Sequence, residues 1–274
     1  MINKNMIYNN DCIEGMASLE NNSVQMILTD PPYLVNYIDR SGRSVANDTL
    51  NNSDWLTPAF NEMYRVLNNN SYAVVFYGWS EADKFINAWR SAGFRIIGQF
   101  AFAKKYASNG RKDKKHMEYK HECAYLLAKG YPKPFEILPS VMNWTYTGNK
   151  LHPTQKPVDL LLRLAKGFCP TGGTVLDPFM GSGSTAMACI KSKMFNYLGY
   201  ELDSNYFNLA MNRINEQENN NSNNHVHIPR QIVKPRYRYN QQNGNYELQE
   251  NKLPVGANDT YFENRAQMQG VQNG

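Results

Sequence analysis

The chain has 274 residues, a formal net charge of +5 and a hydrophobic content of 42%. That length supports one good core with residues left over for a tail, and mild basicity suits a polyanionic partner without requiring one. No window approaches the uninterrupted apolar length of a membrane span, residues 1–10 do not read as a secretory signal, and Cys12, Cys123, Cys169 and Cys189 form no C-x-x-C pair. A cytoplasmic protein with buried, reduced thiols and neither a metal site nor a membrane segment is the expectation.

Taken in chain order, apolar and β-branched runs predict a strand over 6–10 and another over 24–29. A helix over 55–67, a strand over 72–77 and a helix over 81–91 follow. Strands over 94–103 and 123–128 precede a helix over 158–168. The last elements are a strand over 174–176, a helix over 184–191, a strand over 197–200 and a helix over 204–214. Several of these strands are short apolar runs without clean alternation, as expected where helices cover both faces of a sheet. The alternation predicts an α/β doubly wound, mostly parallel sheet in a domain over 1–216.

Two segments interrupt the pattern. Residues 104–120, KKYASNGRKDKKHMEYK, are basic and interleaved with aromatics. They read either as a solvated loop or as a nucleic-acid contact segment, since Lys and Arg neutralise phosphates. They open an insert over about 104–143. From 217 to 274 the chain is rich in Asn and Gln and poor in large aliphatics. Such a tail buries too little apolar surface to offset its ordering entropy, so it is expected to be largely disordered, with KPRYRY (234–239) as the part suited to docking.

The motifs lie at predicted strand ends. VQMILTDPPYLV (24–35) closes an apolar strand with Asp30-Pro31-Pro32-Tyr33, which reads either as a turn or as a reactive pocket. TVLDPFMGSGST (174–185) is a strand, a glycine turn and a helix start, where an α/β sheet binds ligands. Gly181, Gly183 and Ala186 satisfy the dinucleotide spacing, and Glu201 stands where a ribose acceptor belongs, so a nicotinamide dinucleotide fits the spacing. Asp177 argues otherwise. A carboxylate at the strand mouth opposes a pyrophosphate but favours the cationic ammonium and sulfonium of S-adenosylmethionine.

With DPPY upstream, DPFMGSGST, and GYELD downstream, the chain resembles the amino-methyltransferases that act on adenine N6 or cytosine N4 in DNA. Its DPPY segment precedes the glycine loop, as in the permuted β arrangement. The resemblance covers about residues 6–215 and implies a Rossmann-like methyltransferase sheet and S-adenosylmethionine as cofactor. It implies that Thr154 and Lys156 of HPTQKP (152–157) lie near the cofactor's methionine carboxylate. Asp177, Phe179, Gly181 and Gly183, with Ser184 and Thr185 beside them, would frame its methionyl part. Glu201 would accept the ribose hydroxyls. Asp11, with Cys12 beside it, would accept the cofactor's adenine amine.

In this reading Asp30 and the carbonyl of Pro31 accept the two hydrogens of the target amine and turn its lone pair toward the methyl group. Pro31 and Pro32 fix the backbone direction, and Tyr33 offers a stacking face to a base flipped out of the duplex. Cytosine C5 chemistry needs a thiolate after proline, and the chain has no Pro-Cys pair. Asp in the first position of the tetrad leans by resemblance towards adenine N6, with cytosine N4 as the alternative. Arg40, Arg43, Lys104, Lys105, Arg111, Lys112, Lys114 and Lys115 are the expected contacts to double-stranded DNA, and a homodimer is implied by resemblance alone. The competing readings are a dinucleotide-dependent oxidoreductase and a DNA-binding protein without catalysis. Tyr77 reads as core or pocket wall, 36–53 as a closing or ordinary loop, and His121-Glu122 as strand-edge packing or catalysis.

Overall fold

The computed structural model describes residues 4–38, 42, 44–45, 47–49, 53–105, 118–145, 155–221, 236–240 and 245–249. Eight strands form one sheet in the order β1-β8-β7-β2-β3-β5-β4-β6. They are β1 (Met6–Asn9), β2 (Val24–Thr29), β3 (Leu67–Phe76), β4 (Arg95–Ala103), β5 (His121–Lys129), β6 (Val141–Asn143), β7 (Thr174–Asp177) and β8 (Asn196–Glu201). The five strands from β1 to β3 run parallel, β5 is antiparallel to both neighbours, and β6 is parallel to β4. The mostly parallel, doubly wound sheet read from the sequence is therefore present.

Connection geometry explains the two helical layers. The crossover from β2 through α2 (Leu56–Val66) moves one way along the sheet to β3. The crossover from β7 through α5 (Ser184–Ser192) moves the other way to β8. Right-handed crossovers in opposite directions place their helices on opposite faces. With α2 pack α1 (Cys12–Ala17) and α3 (Ala82–Ala92); with α5 pack α4 (Val158–Phe168) and α6 (Ser204–Asn221). Strand alternation then sorts the core. Met26, Leu28, Val74 and Phe76 join one cluster with Leu161, Leu164, Phe168 and Phe207. Between them Ile27, Ala73 and Val75 are equally buried. In the other layer Phe60, Phe85 and Trp89 meet edge-on or tilted.

Several boundaries differ from expectation. β3 begins at Leu67 instead of 72, because Leu67 pairs with Val24 and Ser71 with Lys129 despite the weak strand propensity of LNNNS. The carbonyls freed at the end of α2 are collected by the buried Lys129, whose Nζ donates to Tyr64 O at 2.7 Å and Leu67 O at 2.8 Å. Neither α1 nor β6 was expected; both are too short to show a period. β5 places residues 121–129 of the expected insert inside the sheet, and Lys104 N donates to Lys120 O across the base of the β4–β5 loop. α6 continues past 217 to Asn221. Separately, residues 236–240 and 245–249 of the tail pair as an antiparallel hairpin, β9 and β10, with Tyr239 opposite Tyr246. No helix among the described residues is long and apolar enough to cross a membrane.

Candidate active site

The parallel strands bring their carboxyl ends to one rim. Between β7 and β2 the direction of winding reverses, and a cleft opens at that switch point, where α/β sheets bind ligands. Its empty space, with the mouth and open solvent included, is about 980 Å³. Asp11 and Cys12 after β1, Asp30 and Pro32 after β2, Asp177 at the end of β7 with Phe179 beyond it, and Glu201 at the end of β8 all line it. So do Lys156, Gly181, Ser184 and Thr185. Gly183 caps the start of α5. Thr154 lies outside the described residues.

Asp11, Glu201 and Asp177 are each held in place by specific hydrogen bonds. Asp11 caps α1, its Oδ1 accepting from Ile13 N at 2.8 Å and Glu14 N at 3.3 Å. Glu201 accepts from Gly181 N at 2.7 Å and Asp203 N at 2.8 Å, which ties the glycine turn to β8. Burial raises its carboxyl above the usual range, partly offset by those amides. Gly181 has φ +53°, a left-handed conformation that favours glycine, and this lets its N–H reach Glu201. Asp177 accepts from Thr29 Oγ1 at 2.7 Å, Thr185 Oγ1 at 2.6 Å and Phe179 N at 3.1 Å. Burial pushes its carboxyl up to about 7 even so.

The DPPY tetrad folds back on itself. The Tyr33 hydroxyl donates to Asp30 Oδ1 at 2.7 Å, and Lys156 Nζ donates to Asp30 Oδ2. Burial raises the Asp30 carboxyl, with Lys156 and Tyr33 opposing that rise. The Tyr33 phenol is driven up by burial and by Asp30. Gly78 backs the tyrosine: a Cβ there would stand 2.9 Å from Tyr33 Cβ. Lys156 was expected near a cofactor carboxylate, and the structure brings it to the tetrad.

Three contributors escaped the sequence reading. Asp48 is buried and accepts from Val35 N at 3.0 Å and Tyr37 N at 2.7 Å, fixing the loop after the tetrad so that Val45 and Asn47 reach the cleft. Arg213 of α6 donates to Ser182 O at 3.0 Å and Ser184 Oγ at 3.2 Å, bracing the glycine turn. Trp55 meets Phe179 edge-on at 5.3 Å. Trp55 Nε1 and Asn10 Nδ2 are buried cleft donors with no hydrogen-bond partner among the described residues. An Asp-Asn-rich loop and a lone helical arginine carry no signal for such roles.

The remaining candidates divide. Tyr77 belongs to the core, buried beside Trp89 and Tyr125, with Gln99 Nε2 donating to its hydroxyl at 2.5 Å. Lys104, expected on DNA phosphates, has a side chain only 7% exposed and ion-pairs with Glu122. Inward rotation follows from β4–β5 pairing, which sets Phe102 opposite Glu122 just before Lys104. Lys105 is exposed. Arg40, Arg43, Arg111, Lys112, Lys114 and Lys115 lie outside the described residues.

The family model described as DNA methylase (N6_N4_Mtase) matches residues 24–212. Over 205 residues the chain is 46% identical to YubD of Escherichia coli (strain K12), named as a methylase, covering 74% of this chain and 87% of that one. It is 26% identical over 242 residues to the type II methyltransferase M2.MboI of Moraxella bovis, covering 77% and 87% respectively. Among solved structures, the crystal structure of the M1.HpyAVI–SAM complex shares the fold with a TM-score of 0.58 at 21% identity, over 77% of this chain and 98% of that one.

Proposed function

The chain belongs to the N6/N4 DNA methylase family, and from that premise we propose that it methylates the N6 amine of adenine at specific sites in double-stranded DNA. The observation that carries the reading is the placement of Asp30 on the cleft wall across the switch point from Asp177. S-adenosylmethionine, when bound, supplies a methyl group made electrophilic by its sulfonium. The cleft fits it in chemical terms. Asp177 and Glu201 offer carboxylates to an ammonium and to ribose hydroxyls, and the orphaned Asn10 Nδ2 and Trp55 Nε1 offer donors to its acceptors.

The chain's own residues then prepare the amine. An exocyclic amine is a poor nucleophile because its lone pair delocalises into the ring. Asp30 and the Pro31 carbonyl, by accepting its two hydrogens, favour a pyramidal nitrogen whose lone pair faces the methyl donor. Asp30 is also placed to receive the proton that the amine sheds. Tyr33 presents a ring to a base taken out of the stack. Positioning and fixed electrostatics carry the rate gain, and no covalent enzyme intermediate is needed.

The resemblance of an Asp-first tetrad leans towards adenine; a cytosine amine would meet the same acceptors. Lys105 and the basic segment 106–117 are the proposed phosphate contacts, and the proposed location is the cytoplasm, on nucleoid DNA. A homodimer belongs to the same reading and is checked by light scattering. The decisive experiment expresses the chain in a methylation-free host and maps modified bases, with nucleoside digestion of the product. N6-methyladenine at a fixed sequence is expected. N4-methylcytosine would replace adenine as the target, and the absence of any methylated base would overturn the assignment.

A further inference from the structure

Asp30 is not held by its own tetrad alone. Lys156, 126 residues downstream, donates to Oδ2 while the Tyr33 hydroxyl holds Oδ1. The ammonium is enclosed, its side chain 7% exposed against 17% for Asp30. The rings of Phe76, Tyr33 and Trp144 surround Nζ at centroid distances of 5.1, 5.4 and 5.9 Å. Aromatic quadrupoles stabilise a buried cation there while its hydrogens serve the carboxylate. Lys104 Nζ lies 5.4 Å from the same Trp144 ring and pairs with Glu122, so two ion pairs flank one indole.

Burial is the largest influence against ionisation of Asp30. Glu122 of β5 adds a smaller push in the same direction, and Asp30 interacts unfavourably with Asp177 of β7. Tyr33 and Lys156 work the other way, and Lys156 is the larger of the two. The charge state matters for the chemistry. A carboxylate only accepts, whereas a protonated carboxyl also donates, and a donor aimed at the amine would engage the lone pair needed for transfer.

Resting on the reading of Asp30 as the amine's acceptor, we infer that Lys156 is a positioning residue for methyl transfer, holding Asp30 as an aimed carboxylate rather than gripping the cofactor. Lys156 of HPTQKP thereby serves the acceptor side of the cleft. The ion pair and the aromatic enclosure of Nζ carry this assignment.

The test uses the full-length chain with Lys156→Met, which keeps a stem of similar length without charge, and Lys156→Arg, which keeps charge. The Asp30 carboxyl is followed by 13C NMR from pH 4 to 9 without cofactor or DNA, its signal assigned by its loss in Asp30→Asn. In Lys156→Met its transition is expected to rise by about one pH unit or more, and in Lys156→Arg to stay close to the parent. In the transfer assay, kcat of Lys156→Met falls about tenfold at neutral pH and recovers toward alkaline pH, while its S-adenosylmethionine Kd stays within about threefold. A loss of kcat independent of pH, or weakened cofactor binding with an unmoved Asp30 transition, would overturn the inference. If the parent chain itself methylates no DNA, the functional reading fails, and the carboxyl titration still decides the role of Lys156. Should Lys156→Met not fold, Lys156→Gln carries the same expectations.

Discussion

Thr29 and Asp177 join the two strands at the switch point, Thr29 Oγ1 donating to Asp177 Oδ1 at 2.7 Å. Both residues end parallel strands that wind in opposite directions, so this bond spans the floor of the cleft. It also couples the Asp177 side of the cleft to the segment that carries Asp30.

The raised Asp177 carboxyl predicts a pH-dependent cofactor affinity. A cation bound beside Asp177 favours its ionised form, so binding displaces a proton below about 7. Isothermal titration should show the S-adenosylmethionine Kd rising as pH falls below that value, by up to about tenfold per unit, with Asp177→Asn flattening the dependence. For the ligand-free fold the sign is opposite. A carboxyl whose value is raised from 3.8 to about 7 contributes most to stability below about 4, and that contribution is lost as pH rises to about 7.

Asp30→Asn removes the charged acceptor with little change in shape. Methyl transfer at saturating substrates should fall by about a hundredfold to a thousandfold, as for other groups that stabilise developing charge. Cofactor binding measured by calorimetry should hardly change. Comparable losses of binding and turnover would contradict the assigned role.

Gly78→Ala tests the support of the tyrosine. The new methyl would stand 2.9 Å from Tyr33 Cβ, the root of the side chain, so the ring itself must shift. Denaturant titration should show a loss of about 1–3 kcal/mol, the usual cost of overpacking. Turnover should fall while cofactor affinity holds, since the Tyr33 hydroxyl holds Asp30.

Arg213→Ala tests the brace behind that turn. Loss of its bonds to Ser182 O and Ser184 Oγ leaves the turn less fixed. Cofactor binding should weaken about fivefold to thirtyfold, equivalent to about 1–2 kcal/mol. Turnover at saturating cofactor should stay near the parent value, because Asp30 is held from elsewhere.

Much of this was legible in the chain because its signals are local. The runs 24–29 and 174–176 are largely apolar and each is followed by Asp-Pro, so both strands and their rim could be placed from short windows. Gly181 and Gly183 marked the turn before α5 for the same reason. Lys129 and LNNNS could not be read: the strand forms through pairing with β5, and its freed carbonyls are met by a lysine more than sixty residues away. Lys104 was misplaced by composition, which counts charges in a basic stretch but does not tell which way each one turns. The contact of Lys156 with Asp30 depends on two distant segments closing on one cage, and no window contains both.

The edge strand β1 has a consequence for how the protein is made. Its register with β8 is sealed by Asn9 Nδ2 donating to Glu201 O, a contact spanning 192 residues. At about 5–20 residues per second of synthesis, the first strand waits roughly 10–40 seconds for its partner to be translated. During that interval the wall carrying Asp11 has no opposite side. On the proposed role of Glu201, a ribosome stalled before that residue is expected to hold a nearly complete sheet that does not retain S-adenosylmethionine, so that cofactor capture by the nascent chain comes late.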